Sequence, residues 1–400
     1  MTRYLIALSL FCCTFNVSAH EEQAQQQQNV TLAVSVAFDA TGNLWRVSTN
    51  GDFVQVDVSS DLGKSFSKPI PINLQAQKIA ADGEARPKIV IGPEGNIYLT
   101  WTEVLSTPFT GYIWFTRSIN GGKTFETPII VHQDRAEITH RFDALNVAQT
   151  GNFKGNVTVV WVDKRDLIAA KVVNKPYEDS AIYYAVSTNK GASFAIDQKL
   201  ADGSCDCCHI VTVNKPDGTV VAMWRHVFEG GERDQMIAEI PLKANQAPIV
   251  MRATFGHWKI DGCPHQGEAI ATGGEGPDWW GYHMAYFDGN DAKPGLYYSR
   301  MDGVAWASSP PKKFGNNKNQ ARNSALLSIG EKVWLVWRET EAKNNTILGM
   351  FSDDGGRNWQ DAKVLVSSTD KADYLQLLAF QGQPYLAWNT LEKGFQLLGL

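Results

Sequence analysis

The chain has 400 residues, of which 44% are hydrophobic and 20% are charged, and its formal net charge is −5. This composition is typical of a soluble globular protein. It excludes a basic nucleic-acid-binding protein and a protein that attaches to membranes through a charged segment. The length exceeds what one simple hydrophobic core supports, so we expect either two domains or a repeat architecture.

The first residues have the pattern of a secretory signal peptide. Arg3 precedes an apolar run over residues 4–15, and the small residues that signal peptidase requires lie at 17–19. The run is too short to cross a bilayer as a permanent anchor. We therefore expect a signal peptide over residues 1–19, cleavage after Ala19, and a protein that is periplasmic or secreted and has no membrane span.

The rest of the chain divides into two parts. Residues 20–29 are rich in glutamine, and this composition predicts a disordered spacer. Residues 30–400 contain every later pattern and are predicted to form one domain. Since cleavage removes Cys12 and Cys13, four cysteines remain in the exported protein.

One short pattern recurs along the domain: Ser, a gap, Asp or Asn, a gap, Gly, a gap, a small polar residue and an aromatic residue. Four good copies and one degenerate copy lie at 59–66, 118–125, 187–194, 352–359 and, degenerate, 299–306. The pattern suits a hairpin turn, because the Asp or Asn side chain accepts from backbone N–H groups and glycine takes a positive φ. The aromatic residue is then expected to anchor the turn to the strands beneath it.

A second pattern is an apolar strand that carries aromatic residues. It occurs seven times, at residues 44–48, 97–101, 157–161, 220–224, 283–287, 333–337 and 385–388. The spacing of about 50–60 residues suits a four-stranded repeat unit and favours seven units. The fourth unit has lost its turn pattern, and the seventh ends after its third strand. We expect the N-terminal segment near Val30 to supply the missing outer strand.

The turn pattern resembles the Asp-box (BNR) repeat of the sialidase-like β-propellers, and the resemblance covers nearly the whole mature chain. It implies an all-β, sialidase-like propeller with Asp-box repeats. Seven blades follow from the spacing, and six, usual among sialidases, is the alternative if the first or last unit is an appendage. The resemblance also implies that functional groups lie at the mouth of the central tunnel, on the face opposite the repeated turns.

Aligning the units on their tryptophans assigns residues to this mouth. Arg86, Arg322 and His209 fall at one equivalent position, and Arg141, His265 and Asp373 match it less tightly. A second set follows the second strand of each unit and is expected on the same rim: Glu103, Asp163, His226, Asp288 and Glu339.

Cysteines and histidines cluster at the starts of units four and five. The cluster contains Cys205, Cys207, Cys208, His209, Cys263 and His265, with His226 nearby. Thiolates and imidazoles together suit copper or zinc, and thiolates favour Cu(I). In an exported protein the four cysteines equally suit two disulfides, and a redox-active disulfide or thiol is a third interpretation. The CDCC and CPH segments also resemble those of a set of exported bacterial propellers.

The likeness to sialidases implies a second kind of site. Enzymes of that family hold a carboxylate sugar with three arginines and use a tyrosine paired with a glutamate, with an aspartate as acid/base. Arg86, Arg141 and Arg322 fit the arginine positions, because bidentate pairing with a carboxylate requires arginine. The alternative is a structural charge network of these arginines with Glu103, Asp163 and Glu339. No nucleophile is assigned, although Tyr374 lies near the mouth.

Three functions remain open from the sequence. The first is a Cys/His metal site, copper before zinc, that serves metal handling or redox chemistry. The second is an exo-sialidase-type glycoside hydrolase that binds an acidic sugar through the mouth arginines. The third is a disulfide-stapled binding module without catalysis. In each case we expect a monomer whose partner is a metal ion or a small acidic glycan.

Overall fold

A computed structural model describes residues 32–177, 179–206, 209–241, 246–260, 262 and 266–400. The predicted signal peptide, the spacer and the region of Val30 lie outside these residues. None of the helices in the described ranges has both the length and the apolar character that a membrane crossing requires. Nearly all the regular structure is antiparallel β-sheet, in seven successive sets of strands that we call groups 1 to 7.

Groups 1 to 3 each have four strands. Group 1 contains β1 (Ser35–Phe38), β2 (Leu44–Asn50), β3 (Phe53–Ser59) and β4 (Ile70–Pro71). Group 2 contains β5 (Lys88–Ile91), β6 (Ile97–Val104), β7 (Gly111–Ser118) and β8 (Ile129–Ile130). Group 3 contains β9 (His140–Val147), β10 (Val157–Asp163), β11 (Ser180–Ser187) and β12 (Gln198–Ser204). The helix α1 (Arg165–Val172) lies between β10 and β11.

Groups 4 to 7 continue the pattern. Group 4 contains β13 (Ile210–Asn214), β14 (Val220–Phe228), β15 (Glu232–Glu239), β16 (Ile249–Arg252) and β17 (Trp258–Lys259). Group 5 contains β18 (Ala269–Gly273), β19 (Gly281–Asp288), β20 (Gly295–Asp302) and β21 (Lys312–Phe314). Group 6 contains β22 (Arg322–Ile329), β23 (Lys332–Glu341), β24 (Asn344–Ser352) and β25 (Lys363–Ser368). Group 7 contains β26 (Gln376–Phe380), β27 (Gln383–Thr390) and β28 (Gly394–Gly399).

Short 3₁₀ helices join some of the strands. They span Gly151–Phe153, Glu229–Gly231, Gly276–Asp278 and Asn317–Asn319. Groups 3 and 4 share one sheet, because Ser204 at the end of β12 pairs with His226 of β14.

The first strands of the groups surround a central tunnel. They contact one another in the order β1, β5, β9, β13, β18, β22 and β26, and β26 contacts β1, so the series closes on itself. This is the arrangement of a β-propeller, in which each sheet packs face to face on the next. Because the strands alternate in direction, the repeated turns lie at the end of the tunnel where the first strands finish.

The core lies between neighbouring groups and not inside any one of them. The second strands β6 and β10 are buried over most of their length, since sheets pack on both of their faces. Each of five second strands carries a fully buried tryptophan: Trp101, Trp161, Trp224, Trp337 and Trp388.

The repeated turns have the local hydrogen bonds expected of their sequence. In the first copy the Ser59 hydroxyl donates to Asp61 Oδ1 at 2.7 Å and accepts from Gly63 N–H at 2.8 Å, and Asp61 Oδ1 also accepts from Ser65 N–H. The other three good copies repeat the same contacts from Ser118, Ser187 and Ser352.

The turn glycines also join neighbouring groups. Gly122 has a φ of +78°, and a Cβ there would overlap the ring of Trp45 in group 1. The aromatic residue that ends a turn packs on the preceding group as well: Phe194 meets Phe115 and Trp359 meets Tyr298 in edge-to-face contacts. These turns therefore close their own hairpins and also anchor them to the sheet of the preceding group.

Candidate functional site

A cavity of about 400 Å³ opens at the end of the tunnel opposite the repeated turns. The beginnings of the first strands form its wall, so every group contributes to it: Ser35, Lys88, Ala144, Ile210, Ala269, Asn323 and Gln376. Residues that immediately precede those strands add polar and charged side chains: Glu84, Arg86, His209, Glu268 and Tyr374. These five side chains come from four different groups of strands and meet at this one end.

Two carboxyl groups line the cavity. Glu84 Oε2 lies 3.7 Å from His209 Nδ1, and a Cβ at Gly267 would overlap Glu84 Oε1, so the glycine leaves room for this carboxyl. The Glu268 carboxyl is fully buried, and its Oε1 lies 3.2 Å from Arg225 Nη2. The two carboxyls repel each other electrostatically across the wall of the cavity.

The cavity keeps both carboxyls protonated at a higher pH than water would. Burial, and secondly repulsion by Glu268, raises the pKa of Glu84 to about 8, although Arg86 and Arg225 oppose the shift. Burial raises the pKa of Glu268 to about 7, with Arg225 opposing it. Near neutral pH, Glu84 is therefore a proton donor and Glu268 is partly ionised.

Arg86 lies in the wall, but its donors are occupied. Its Nη1 and Nη2 donate to Asp373 at 2.7 and 2.6 Å, and Nη1 also donates to the carbonyl of Val34 at 2.9 Å. Both partners of the ion pair are almost completely buried. Arg86 therefore joins groups 1, 2 and 7 through bonds within the protein, and its binding of a ligand anion stays a prediction.

A cluster of guanidinium groups surrounds Tyr374. Arg86 and Arg338 each lie 5.4 Å from the centre of its ring, and Arg338 donates to Asn323 Oδ1 at 2.8 Å. Burial, and secondly repulsion by Arg322, lowers the pKa of Arg338 to about 10. The Nε atoms of Arg322 and Arg338 are buried and have no hydrogen-bond partner. One carboxylate, Asp373, does not neutralise three guanidinium groups, so the cluster has excess positive charge.

The third predicted arginine is not part of this cluster. Arg141 is half-buried, its guanidinium lies 4.9 Å from the ring of Phe142, and it does not line the cavity. Its charged neighbour is Asp82. Of the arginines predicted at the mouth, the structure therefore groups Arg86 and Arg322 near Tyr374 and leaves Arg141 outside this cluster.

The three carboxylates predicted at the rim accept hydrogen bonds from tryptophan side chains. Glu103 accepts from the indole of Trp114 at 2.7 Å. Asp163 and Glu339 each accept from a tryptophan two residues earlier, Trp161 and Trp337, at 2.9 Å. Residues i and i+2 of a strand face the same side, so the carboxylate meets the indole of its own strand. These side chains do not line the cavity, each accepts a hydrogen bond from a tryptophan of its own group, and their binding of a ligand stays a prediction.

Most of the predicted Cys/His cluster lies outside the described residues: Cys207, Cys208, Cys263 and His265. Among the described members, Cys205 is buried at the end of β12, His209 lines the cavity, and the His226 ring packs 4.5 Å from Phe228. Burial lowers the pKa of His226 to about 4. These three side chains do not form a group of metal ligands by themselves.

One other set of possible ligands occurs in the described part of the chain. Glu232, Asp234 and His257 lie close together, but Arg252 bonds to both carboxylates and contacts the imidazole of His257 at 3.0 Å. The guanidinium occupies the position that a cation would take, so this set is a structural ion-pair cluster.

Sequence reasoning missed two carboxyl side chains of the cavity, Glu84 and Glu268, and noted Tyr374 without a role. A signal was present, because Glu268 and Tyr374 stand one and two residues before a first strand, as His209 and Arg86 do. The contact between Glu84 and Gly267 could not be predicted from such a spacing, because the loop before β5 is longer than the loops before the other first strands.

Comparisons with known proteins agree with this architecture. No protein-family model matches the chain, and no curated protein matches its sequence. Many solved structures are similar to it, among them a lectin and two enzymes. The BP39L lectin from Burkholderia pseudomallei has a TM-score of 0.59 and 9% identity, over 93% of this chain and 96% of that one.

The other two similar structures are enzymes. An ulvan lyase bound to -[GlcA(1-4)Rha3S]- has a TM-score of 0.52 and 10% identity, over 91% of each chain. The α-L-arabinofuranosidase Arb93A from Fusarium graminearum, solved as a mutant with an iminosugar inhibitor, has a TM-score of 0.51 and 12% identity, over 82% of this chain and 93% of that one. The chain has the fold of a β-propeller. At these identities the likeness establishes the fold alone.

Proposed function

We propose that the protein binds an acidic glycan at the mouth of the propeller tunnel and hydrolyses a glycosidic bond there. The observation that carries the proposal is the cavity itself. Two carboxyl groups, Glu84 and Glu268, line it, and a guanidinium cluster around Tyr374 adjoins it. The similar propellers include a lectin, a polysaccharide lyase and a glycosidase, so the fold is known to present saccharide sites.

The chemistry assigns one role to each carboxyl. Glu84, protonated at neutral pH, donates its proton to the glycosidic oxygen as the bond to the anomeric carbon breaks. A water molecule adds to that carbon and loses its proton to the ionised form of Glu268. Glu268 then releases the proton that it gained to solvent and Glu84 takes one up, so the net change is the addition of one water across the glycosidic bond.

The guanidinium cluster supplies the preference for an acidic sugar. The unpartnered Nε atoms of Arg322 and Arg338 are donors that gain from a carboxylate or sulfate, since a buried unpaired donor is costly. Tyr374 and Asn323 add neutral polar contacts to the sugar ring. Arg86 maintains the shape of the site through Asp373.

The test is a screen of sialylated and uronic-acid glycans, followed by one substitution. Glu84→Gln keeps the size of the side chain and removes the acid, so we expect kcat to fall at least about 10²–10⁴-fold while binding persists. Glu103→Gln is the matched control, because Glu103 holds Trp114 outside the cavity, and kcat should not change. Unchanged hydrolysis by Glu84→Gln contradicts the mechanism. Binding without hydrolysis would identify a lectin-like module instead.

The copper or zinc site is retained as a second proposal. Its support is that Cys205 is buried close to Glu268. Burial is the main cause of the raised pKa of Glu268, and Cys205 adds a smaller electrostatic contribution, so the cysteine-rich segment starts near this wall of the cavity. Elemental analysis with a thiol count on the exported protein tests it against the two disulfides. About one metal ion per chain supports the site, and four oxidised thiols without metal contradict it.

The remaining predictions stay proposals alongside these. They are a count of seven blades with one group of strands each, membership of the exported CDCC and CPH subgroup, signal-peptide cleavage after Ala19, and a monomeric state. Mass spectrometry of the secreted protein tests the cleavage, and sedimentation tests the monomer.

A further inference from the structure

Arg141 carries a half-buried guanidinium group that has no role in the site described so far. Its Nε is buried without a hydrogen-bond partner, and burial lowers its pKa, although Asp82 opposes the shift. Arg165 of the same group of strands has a different environment, because it forms ion pairs with Asp163 and Asp197. Among the described residues, no such ion pair stabilises Arg141. A partly desolvated guanidinium without a counterion is costly, so an anionic ligand is favoured at this position.

The backbone holds Arg141 at the mouth end of β9, where it is the second residue of the strand. Phe142 has a φ of +55°, and Phe142 and Asp143 together stand opposite the single residue Trp161 of β10, which makes a β-bulge. A bulge changes the direction of the side chains next to it. Gly111 of β7 lies against the stem of Arg141, since a Cβ there would be 3.2 Å from the arginine Cγ. The bulge and the glycine therefore give this side chain its path between groups 2 and 3.

An exposed aromatic ring lies on the neighbouring loop. Phe109, between β6 and β7, is 75% exposed, and its φ of +64° is one that bulky residues rarely adopt. The loop is held in this conformation, because Glu137 Oε1 accepts from Thr107 N–H at 2.8 Å. The carbonyl of Phe109 also accepts from Thr139 Oγ1 at 2.9 Å, two residues before Arg141. A flat apolar ring is therefore exposed to solvent on a loop that packs against the start of β9.

Both side chains lie beyond the cavity, on the same side of its mouth. Ala144 of β9 lines the cavity, and Arg141 precedes it by three residues, or about 10 Å along the strand. Because Arg141 does not line the cavity, a single sugar held there does not contact it. A glycan chain that leaves the cavity over groups 2 and 3 reaches both Arg141 and Phe109.

We propose that Arg141 and Phe109 form an outer subsite for a second acidic unit of the same glycan. Arg141 donates hydrogen bonds to the carboxylate or sulfate of that unit, and the Phe109 ring packs against the apolar face of a sugar. The inference rests on the proposed binding of an acidic glycan in the cavity, and it names the class of that glycan. The ligand is a chain in which acidic units recur, and not a single terminal acidic sugar.

The test measures how affinity depends on chain length, by calorimetry in the Glu84→Gln protein, which does not consume the ligand. The probes are oligogalacturonates and α2,8-linked oligosialic acids of one to four units, in which every unit carries a carboxylate. The tetramer of at least one series should bind about ten-fold more tightly than its monomer or better, and Arg141→Gln should remove most of this difference. Phe109→Ala should also weaken the tetramer more than the monomer.

Two further variants show whether the effect belongs to the Arg141 guanidinium. Arg135→Gln is the matched control, because Arg135 is exposed in the loop before β9 and the change removes the same charge from the same rim. Tetramer binding should change little in this variant. Arg141→Lys keeps the charge but not the planar fork of donors, so it should restore only part of the preference for the tetramer. Thermal unfolding of each variant checks that it is folded.

Three results would overturn the proposal: tetramer binding that Arg141→Gln leaves unchanged, an equal loss in Arg135→Gln, or no binding of any oligomer in either series. Hydrolysis by the protein with Glu84 is measured separately. Hydrolysis with equal affinities for monomer and tetramer refutes the outer subsite and leaves the proposed function in place. Binding that depends on chain length and on Arg141, without hydrolysis, refutes the proposed mechanism and leaves the outer subsite in place.

Discussion

The two ends of the propeller shift the pKa values of carboxyl groups in opposite directions. At the repeated turns, hydrogen bonds from the backbone and side chain of Asn358 hold the pKa of Asp354 far below its usual range, and hydrogen bonds from Ser65 lower that of Asp61 to about 2. At the cavity, burial raises the pKa values of Glu84 and Glu268 to about 8 and 7. The turns stabilise ionised carboxylates with local hydrogen-bond donors, whereas burial in the cavity disfavours the ionised form of its carboxyl groups.

The largest effect on stability is expected from breaking the buried ion pair between Arg86 and Asp373 at the cavity end. Asp373→Ala leaves Arg86 buried without a counterion, and we expect the free energy of unfolding to fall by about 3–5 kcal/mol. Urea unfolding measures this change. Asp291→Ala, on an exposed loop, is the control and should change the free energy by less than about 0.5 kcal/mol. A loss of similar size in both variants would refute the structural role of the ion pair.

A matched pair of glycines measures how much the turns contribute to the contact between groups. Gly121 and Gly122 have φ values of +69° and +78°, but only Gly122 faces another side chain, the ring of Trp45. Gly121→Ala should cost about 1–2 kcal/mol from backbone conformation alone. Gly122→Ala should cost about 1–3 kcal/mol more, because the added methyl group forces the ring to move. Equal losses in thermal unfolding would show that the turn does not anchor the sheet.

The pH dependence of stability should separate the two kinds of carboxyl. Glu84 has a folded pKa of about 8, above the ordinary 4.5, so the folded state holds a proton that the unfolded state releases. Stability therefore falls as the pH rises through this window, on the order of 1–2 kcal/mol once water in the cavity is considered. Urea unfolding between pH 5 and 9 measures the slope. Glu84→Gln should flatten it, and an unchanged slope would contradict the raised pKa.

The smallest effect is expected at a single turn carboxylate. Asp354 accepts from the N–H groups of Arg357 and Asn358, and its pKa is lowered, so its contribution is lost as the pH falls through the acidic range. Asp354→Ala should destabilise the protein less than Gly121→Ala does, and by less at pH 3 than at pH 7. Thermal unfolding at the two pH values checks both points. A loss that does not depend on pH would rule out the charged form as the source.

The sequence predicted the repeated turns correctly because everything they require is local. The serine, the Asp or Asn and the glycine of each copy lie within five residues, and their hydrogen bonds join residues two and four apart. The tryptophan positions likewise predicted the second strands. The alignment of units placed Arg86 and His209 at the cavity, since equivalent positions of a repeat occupy equivalent places.

The sequence did not reveal pairings between residues of different groups. Arg86 was assigned to a ligand, whereas its counterion in the structure, Asp373, is 287 residues away in the chain. Glu84 was overlooked, since only the folded chain brings it against Gly267 and His209.

The sequence alone therefore determined the repeat, its turns and the class of fold, since these depend on hydrogen bonds and side-chain periodicity over a few residues. Only the tertiary structure decided which charged groups are paired and which are left exposed to a ligand. That outcome depends on burial and on charges that approach across the tunnel from distant parts of the chain. Electrostatic energy in a buried site is set by distance and dielectric surroundings, and neither is encoded in the order of residues along one strand.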